Sequence, residues 1–145
     1  MTDYNYDKFS ASHYALDNFG GPQPRQKAPD FALQTTDRSS HNLLDFEGEF
    51  LVLEFGSITC PLFQNRRGVM KALTETYLNA SFAILYVREA HPGNSRPQHK
   101  DTAGKLANAG ALQSGDNEGR HILIDHFEGT AHKAYGSISQ CRFHN

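Results

Sequence analysis

The chain has no tryptophan, and only two of its 145 residues are cysteine. Two cysteines are too few for the disulfide scaffold of a small secreted domain, and because they do not form a CxxC pair, a thioredoxin-type disulfide motif is excluded. No apolar run approaches the length that spans a bilayer, and the first residues lack the basic and apolar regions of a signal peptide. These absences predict a cytoplasmic protein with no membrane partner.

An excess of charge of one sign is also missing. Lys and Arg number 14 against 16 Asp and Glu, which gives a formal net charge of −2. Without a basic face or stripe, nucleic acid is a poor candidate partner. The hydrophobic content of 38% is ordinary for a soluble chain of this length, so the sequence predicts one domain with one core.

Apolar runs typical of buried strands alternate with amphipathic segments typical of helices. Strands are expected at 31–35, 51–55, 82–87 and 121–124, and helices at 61–78, 100–109 and 128–135. In the first helix, the residues expected to face the sheet are Leu62, Val69, Met70, Leu73 and Tyr77. This alternation predicts an α/β fold whose sheet is mainly parallel, with right-handed crossovers.

Cys60 is the leading candidate for a catalytic residue. It follows the strand at 51–55 and the turn at 56–59, and Pro61 opens the next helix, where proline is favoured at the first position. Helix N-terminal N–H groups and the positive end of the macrodipole favour a thiolate, which is the nucleophilic form. An isolated cysteine is more often an inert buried side chain, but this strand, turn and helix context favours a reactive thiol.

Glu89 and His91 follow the end of another predicted strand. Because ligands of such sheets bind at the carboxyl ends of the strands, we expect both side chains to lie near Cys60. His91 is a candidate general acid, since imidazole titrates near neutrality, and Glu89 would orient it or relay protons. The alternatives are a solvated loop histidine and a glutamate that pairs with Arg88 or a neighbouring lysine.

Two segments resemble the iodothyronine deiodinase family: LVLEFGSITCPLF at 51–63 and FAILYVREAHPG at 82–93. The resemblance covers roughly residues 27–137 and implies a thioredoxin-like fold related to peroxiredoxins. It places Cys60 at the position of the family's selenocysteine or cysteine, and Glu89 and His91 in the family's second motif. The chain is most similar to soluble bacterial-type members that use cysteine.

The same resemblance implies roles in substrate binding for four further residues: Ser57, Thr59, Tyr86 and His99. Their alternatives are ordinary turn, cap and core positions. The chain also departs from the family pattern. Ile58 stands where the family has a second cysteine, and Arg88 replaces the first acid of a glutamate pair.

Three segments are expected. Residues 1–26 form an extended arm over the domain, residues 27–137 form the thioredoxin-like domain, and residues 138–145 form a divergent tail. The resemblance implies that relatives continue with a β-hairpin and a last helix; we expect this chain to lack them, and hence a truncated sheet in which the strand at 51–55 has an open edge. Such an edge favours association, and the candidate assembly is a homodimer.

The sequence therefore predicts a thiol-dependent oxidoreductase of the deiodinase type. Cys60 would attack an iodinated aromatic or related oxidised small molecule, and an external thiol or thioredoxin would regenerate it, with no resident cofactor. A one-cysteine thiol peroxidase and a non-catalytic interaction protein are the alternatives. No metal is expected, because His121, His126 and His132 match no ligand spacing, and Cys141 is expected to be a stray surface thiol rather than a resolving one.

Overall fold

The computed structural model describes residues 4–11 and 20–136. The strands are β1 (Ala32–Thr35), β2 (Ser40–Asn42), β3 (Phe50–Gly56), β4 (Ala80–Tyr86) and β5 (His121–Ile124). The helices are α1 (Pro61–Thr76), α2 (Thr102–Gly110), which continues into a π-helical turn at Ala111–Gly115, and α3 (Thr130–Ala134). Each element predicted from the sequence is present within a few residues, whereas the short strand β2 was not predicted.

The five strands form one sheet in the order β2-β1-β5-β4-β3. The strands β3, β4 and β5 run parallel, with Gly56 opposite Tyr86, and Tyr86 opposite Ile124. The strand β1 runs antiparallel to both β2 and β5. This mixed sheet with helices between the parallel strands confirms the predicted α/β class and its thioredoxin-like architecture. No helix among the described residues has the length and apolar character needed to cross a membrane.

The core lies on both faces of β4 because successive side chains of a strand alternate between faces. Ile84 and Tyr86 join an apolar cluster that contains Cys60, whereas Leu85 and Val87 join a second cluster that contains Leu33. These three residues of β4, and Val87 directly after it, have no exposed surface. The near-continuous apolar run in the sequence therefore corresponds to a central strand that is covered on both sides.

The predicted apolar face of α1 is wrong at three of its five residues, whereas Met70 and Leu73 are partly buried as expected. Leu62, Val69 and Tyr77 are 40, 63 and 54% exposed, and Phe63 is the one fully buried residue of this helix. The inward side of α1 also carries two arginines: Arg66 pairs with Glu54 at 2.8 Å, and Arg67 pairs with Glu118 at 2.8 Å. The inward side of α1 therefore combines Phe63 with two arginines that pair with buried carboxylates, a combination that apolar spacing alone did not identify.

Arg120 connects these two ion pairs into one cluster. Its guanidinium lies 2.5 Å from Glu54 and 2.9 Å from Glu118, and all three side chains are buried. The guanidinium donates hydrogen bonds to both carboxylates, which keeps the pKa of Glu118 below its usual range despite burial. A buried charge is tolerated only when it is paired in this way.

The strand β3 lies at one end of the sheet and pairs with β4 alone within the described residues. Phe50 is 60% exposed and Val52 is 36% exposed along it. The expected tail at 138–145 falls outside the described residues. The expected open edge of β3 and the expected association through it both stay predictions.

Candidate active site

The site lies where β3 and β4 end at the same edge of the sheet. Gly56 pairs with Tyr86, and the Val87 N–H donates to the Gly56 carbonyl at 3.1 Å, so the chain leaves both strands side by side. The loop at 57–60 follows β3, and the loop at 87–91 follows β4. This arrangement brings the cysteine segment and the glutamate and histidine segment together, as predicted from the strand order.

Cys60 is the N-cap residue of α1, with an extended backbone and Pro61 directly after it. Its carbonyl accepts the first helical hydrogen bond, from Gln64 N–H at 3.0 Å. No acidic residue occupies the first turn of this helix, so the positive end of the helix dipole next to the sulfur is not offset there. The side chain has no exposed surface and packs in the cluster with Phe63 and Tyr86. The sulfur is thus at a helix N-terminus, but beneath the surface.

Glu89 is fully buried and is the centre of a hydrogen-bond network. One carboxylate oxygen accepts from the Tyr86 hydroxyl at 2.5 Å and from the Asn108 amide at 3.0 Å. The other accepts from the Thr59 hydroxyl at 2.6 Å and from the Thr59 N–H at 3.2 Å. Four donors suit an ionised carboxylate, which only accepts hydrogen bonds. Glu89 therefore holds Thr59, the residue before the cysteine, by its backbone and its side chain.

Further hydrogen bonds join the two loops directly. The Ala90 N–H donates to the Ser57 hydroxyl oxygen at 3.1 Å, and the His91 N–H donates to the Thr59 hydroxyl oxygen at 3.3 Å. The Ile58 N–H donates to the Tyr86 hydroxyl oxygen at 3.2 Å. Because these bonds satisfy buried backbone donors, they fix the loop geometry rather than leave it to side-chain packing.

The pKa of Tyr86 is raised well above its usual value, first because the phenol is buried and then because the Glu89 carboxylate lies beside it. The phenol therefore keeps its proton and donates a hydrogen bond to Glu89. Tyr86 and Thr59, which were predicted to bind substrate, use their hydroxyl groups on Glu89 instead of presenting them to solvent. Their roles in substrate binding stay predictions.

His91 lies at the rim, half-buried, with its ring against Phe9 at a centroid distance of 4.4 Å and an angle of 40°. Partial burial lowers the pKa of His91 from its usual value. The imidazole is therefore mainly neutral at pH 7, and a neutral ring carries one donor and one acceptor nitrogen. This form can accept a proton from a thiol and return it.

His99 lies deeper than the sequence suggested, with 5% of its surface exposed. Its two ring nitrogens have no hydrogen-bond partner in the described part of the chain, and its ring packs against Phe127 at 5.9 Å. Burial, together with the nearby Lys105 ammonium, lowers the pKa of His99 to about 3. His99 also lines a cavity of 450 Å³ that contains Gln98 and Glu128 in its wall.

Three elements of the site were missed in the sequence. Asn108 reaches Glu89 from α2, and Gln98 both accepts from the Glu89 N–H at 2.9 Å and donates to the Glu89 carbonyl at 3.1 Å. The third is a contact of the N-terminal arm expected at 1–26: residues 4–11, called here the N-terminal strap, bring Phe9 to His91, and the sequence did not predict this contact. Amides inside polar segments carry no distinctive pattern, so only the fold could reveal them.

The strap is attached to the site by buried hydrogen bonds. The Tyr6 hydroxyl donates to the Ala90 carbonyl at 2.8 Å, and Gln98 donates to the Tyr6 carbonyl at 2.9 Å. Arg88 donates to the Tyr4 carbonyl at 2.8 Å, and its guanidinium lies over both tyrosine rings at 4.9 and 4.7 Å. Arg88 therefore contacts the strap, so the alternative in which it pairs with Glu89 is not supported by these contacts.

Cys141 falls outside the described residues. Among residues 4–11 and 20–136, no group of three or more His, Cys, Asp or Glu side chains could hold a metal ion.

Comparison with known proteins identifies relatives of this chain. The sequence model of the family described as iodothyronine deiodinase matches residues 3–143. Thyroxine 5-deiodinase from Sus scrofa is 31% identical over 130 residues, which cover 81% of this chain and 41% of the relative. The corresponding protein from Homo sapiens is 31% identical over 129 residues, with the same two coverages. The chain thus spans less than half the length of these curated relatives.

Solved structures agree on the fold. A conserved protein from Geobacillus kaustophilus superimposes with a TM-score of 0.58 at 19% identity, covering 76% of this chain and 56% of that one. A hypothetical protein from Sinorhizobium meliloti gives a TM-score of 0.56 at 20% identity, covering 75% and 56%. At these identities the likeness concerns architecture alone, whereas the sequence match extends over both loops of the site. The chain belongs to the iodothyronine deiodinase family.

Proposed function

We propose that this chain is a thiol-dependent reductase that removes iodine from an iodinated aromatic ring, with Cys60 as the nucleophile. The observation that carries the proposal is the attachment of Thr59, next to Cys60 at the N-terminus of α1, to the buried Glu89 by two hydrogen bonds. Such a network holds the sulfur in one position relative to the end of the helix. Membership of the deiodinase family supplies the substrate class.

The proposed reaction transfers two electrons. The Cys60 thiol gives its proton to His91, and the thiolate attacks iodine, so that a sulfur–iodine bond forms as the carbon–iodine bond breaks. The electron pair of the broken bond stays on the ring carbon, which takes the proton back from His91. The ring is thereby reduced, and Cys60 is oxidised to a sulfenyl iodide.

An external thiol, either a small one or thioredoxin, then restores the enzyme. The first thiol attacks the Cys60 sulfur, releases iodide and a proton, and leaves a mixed disulfide. A second thiol attacks this disulfide and releases Cys60 as a thiol, while the two reductant sulfurs leave as a disulfide. The balance is one carbon–iodine bond and two thiols consumed for one carbon–hydrogen bond, one disulfide and hydrogen iodide.

His91 and Glu89 have different parts in this scheme. The neutral imidazole of His91 accepts and returns the proton, since its pKa is lowered by partial burial. Glu89 is a positioning residue: its carboxylate already accepts four hydrogen bonds, and it acts on Cys60 through Thr59. The Ser57 hydroxyl has a similar part, because it accepts the N–H of Ala90 next to His91.

One observation favours a second candidate, a one-cysteine thiol peroxidase. Cys60 has no exposed surface, and a peroxide is far smaller than an iodinated ring. In that reaction the thiolate attacks a peroxide oxygen, the oxygen–oxygen bond breaks, and Cys60 becomes a sulfenic acid as the alcohol or water leaves. The same external thiols would reduce it.

The test measures iodide release from a phenol iodinated at both ortho positions, with dithiothreitol as the reductant. Cys60→Ser should abolish release, whereas Cys141→Ser should retain it and serves as the matched control. Dehalogenated phenol and oxidised reductant should appear in equal amounts. Absence of iodide release together with peroxide-dependent sulfenic acid at Cys60 would replace the proposal by the peroxidase. Inertness of Cys60 in both assays would leave the non-catalytic alternative.

A further inference from the structure

The N-terminal strap presents an aromatic ring at the rim of the site. Tyr6 is anchored on both sides of the catalytic loop, since its hydroxyl donates to the carbonyl of Ala90 and its carbonyl accepts from Gln98. Ala90 precedes His91, and Gln98 holds both backbone groups of Glu89. The strap is therefore hydrogen-bonded to the same segment that positions His91, the proposed proton carrier.

Phe9 is the residue of the strap that reaches His91. The two ring centroids are 4.4 Å apart, at the short limit of aromatic contact distances, and the rings are tilted by 40°. The backbone of His91 is in turn fixed to Thr59. Phe9 nevertheless keeps 44% of its surface exposed. An aromatic ring held by its neighbours but still open to solvent is able to contact an incoming molecule.

We propose that Phe9 is a specificity-determining residue that, together with His91, forms an aromatic wall against which the flat ring of the substrate packs. The inference rests on the proposed function, because the substrate ring must lie beside His91 to take its proton from that imidazole. A ring in that place meets the exposed part of Phe9. Binding sites for small molecules are mostly aromatic and apolar, with few polar groups that fix orientation, and the pair of Phe9 and His91 has this composition.

The test separates binding from chemistry by using the full chain with Cys60→Ser. Isothermal titration calorimetry measures the dissociation constant of the ortho-diiodinated phenol in the parent and in Phe9→Leu, which keeps apolar bulk but removes the aromatic face. We expect the dissociation constant to rise about 3- to 10-fold, the range of an aromatic pair. Phe9→Tyr should stay within about twofold of the parent, since it retains the ring.

Two controls make the result specific. Phe50→Leu removes another exposed phenylalanine, at the start of β3 and remote from the loops of the site, and should leave the dissociation constant unchanged. Thermal unfolding of each variant, followed by circular dichroism, reports whether the fold is intact. Equal binding by Phe9→Leu and the parent would overturn the inference, as would failure of the parent to bind the phenol.

The iodide-release assay distinguishes this inference from the proposed function. If Phe9→Leu weakens binding but no variant with Cys60 releases iodide, the aromatic wall stands and the reaction is wrong. If iodide is released with the same KM in Phe9→Leu and in the chain with Phe9, the reaction stands and the wall is wrong. Where both hold, KM should rise with little change in kcat, because Phe9 contacts the ring but takes no part in proton transfer.

Discussion

Acid should destabilise this protein through His99, and the size of the effect follows from its burial. The unfolded chain has the ordinary histidine pKa of 6.5, whereas burial and the Lys105 ammonium lower the pKa in the folded state to about 3. Above pH 6.5 the ring is neutral in both states, so the full stability is present. As the pH falls below 6.5, the unfolded state binds the proton first, and the free energy of unfolding decreases until the folded state also binds it near pH 3.

The loss is about 1.4 kcal/mol for each pH unit in this window. Between pH 6.5 and pH 5 the contribution of His99 is therefore about 2 kcal/mol. Partial burial also lowers the pKa values of His91 and His121, which adds to the slope in the same direction. Most unperturbed carboxylates titrate below this range. A difference between variants at His99 isolates its share from that of the other two histidines.

The assay is urea unfolding at pH 7.5 and pH 5, followed by far-ultraviolet circular dichroism because the chain has no tryptophan. His99→Leu should lose about 2 kcal/mol less than the parent on acidification. At pH 7.5 the variant should be no less stable, since leucine removes two buried nitrogens that lack partners in the described residues. His126→Gln, an exposed histidine, is the control and should keep the parent's slope. An unchanged slope in His99→Leu would refute the reasoning.

Three further predictions concern the buried polar groups and the sheet edge. Glu89→Gln places an amide donor against the hydroxyl donors of Thr59 and Tyr86. We expect the free energy of unfolding in urea to fall by about 1–3 kcal/mol and the alkylation of Cys60 to slow. An unchanged alkylation rate would contradict the positioning role of Glu89. Arg120→Met leaves two buried carboxylates with fewer partners and should cost about 3 kcal/mol, whereas Lys71→Met at an exposed position should cost little; equal losses would show that the ion-pair cluster is unimportant. Val52→Lys should reduce self-association in sedimentation velocity experiments, because lysine on an edge strand opposes strand pairing. A parent chain that stays monomeric at high concentration would argue against association through β3.

The fold could be predicted because its signals are local. The strand β5 occupies the predicted residues 121–124, and the loop after β3 leads through Cys60 into a helix that starts at Pro61. Strand runs, turn glycines and a helix-opening proline act over a few residues, so the sequence displays them directly. The short strand β2 has three exposed residues, and its hydrogen bonds to β1, rather than its composition, make it a strand.

The orientation of α1 could not be predicted because it depends on residues distant in the chain. Arg67 lies 51 positions before Glu118, and Arg66 and Arg120 meet on Glu54. Hydrophobic periodicity assumes that the apolar side of a helix faces the core. Here buried carboxylates on other elements attract the arginines of α1, and Val69 and Tyr77 are left on the outside.

The active site, too, could be predicted only in part. Strand order predicted that Cys60, Glu89 and His91 would share one edge of the sheet, and the contacts through Thr59 place their segments together there. The partners of Glu89 could not be predicted, because Asn108 is one polar residue of a helix and has no pattern of its own.

The buried network of the two loops and the exposed strap have different consequences for function. The proposed chemistry depends on the loops after β3 and β4, whose hydrogen bonds are buried and leave little freedom for substitution. The aromatic wall depends instead on Phe9, a partly exposed side chain on the N-terminal strap. Substitution at an exposed position usually changes stability by less than about 0.5 kcal/mol. Substrate preference can therefore change through residue 9 while the network around Glu89 keeps the thiol in place.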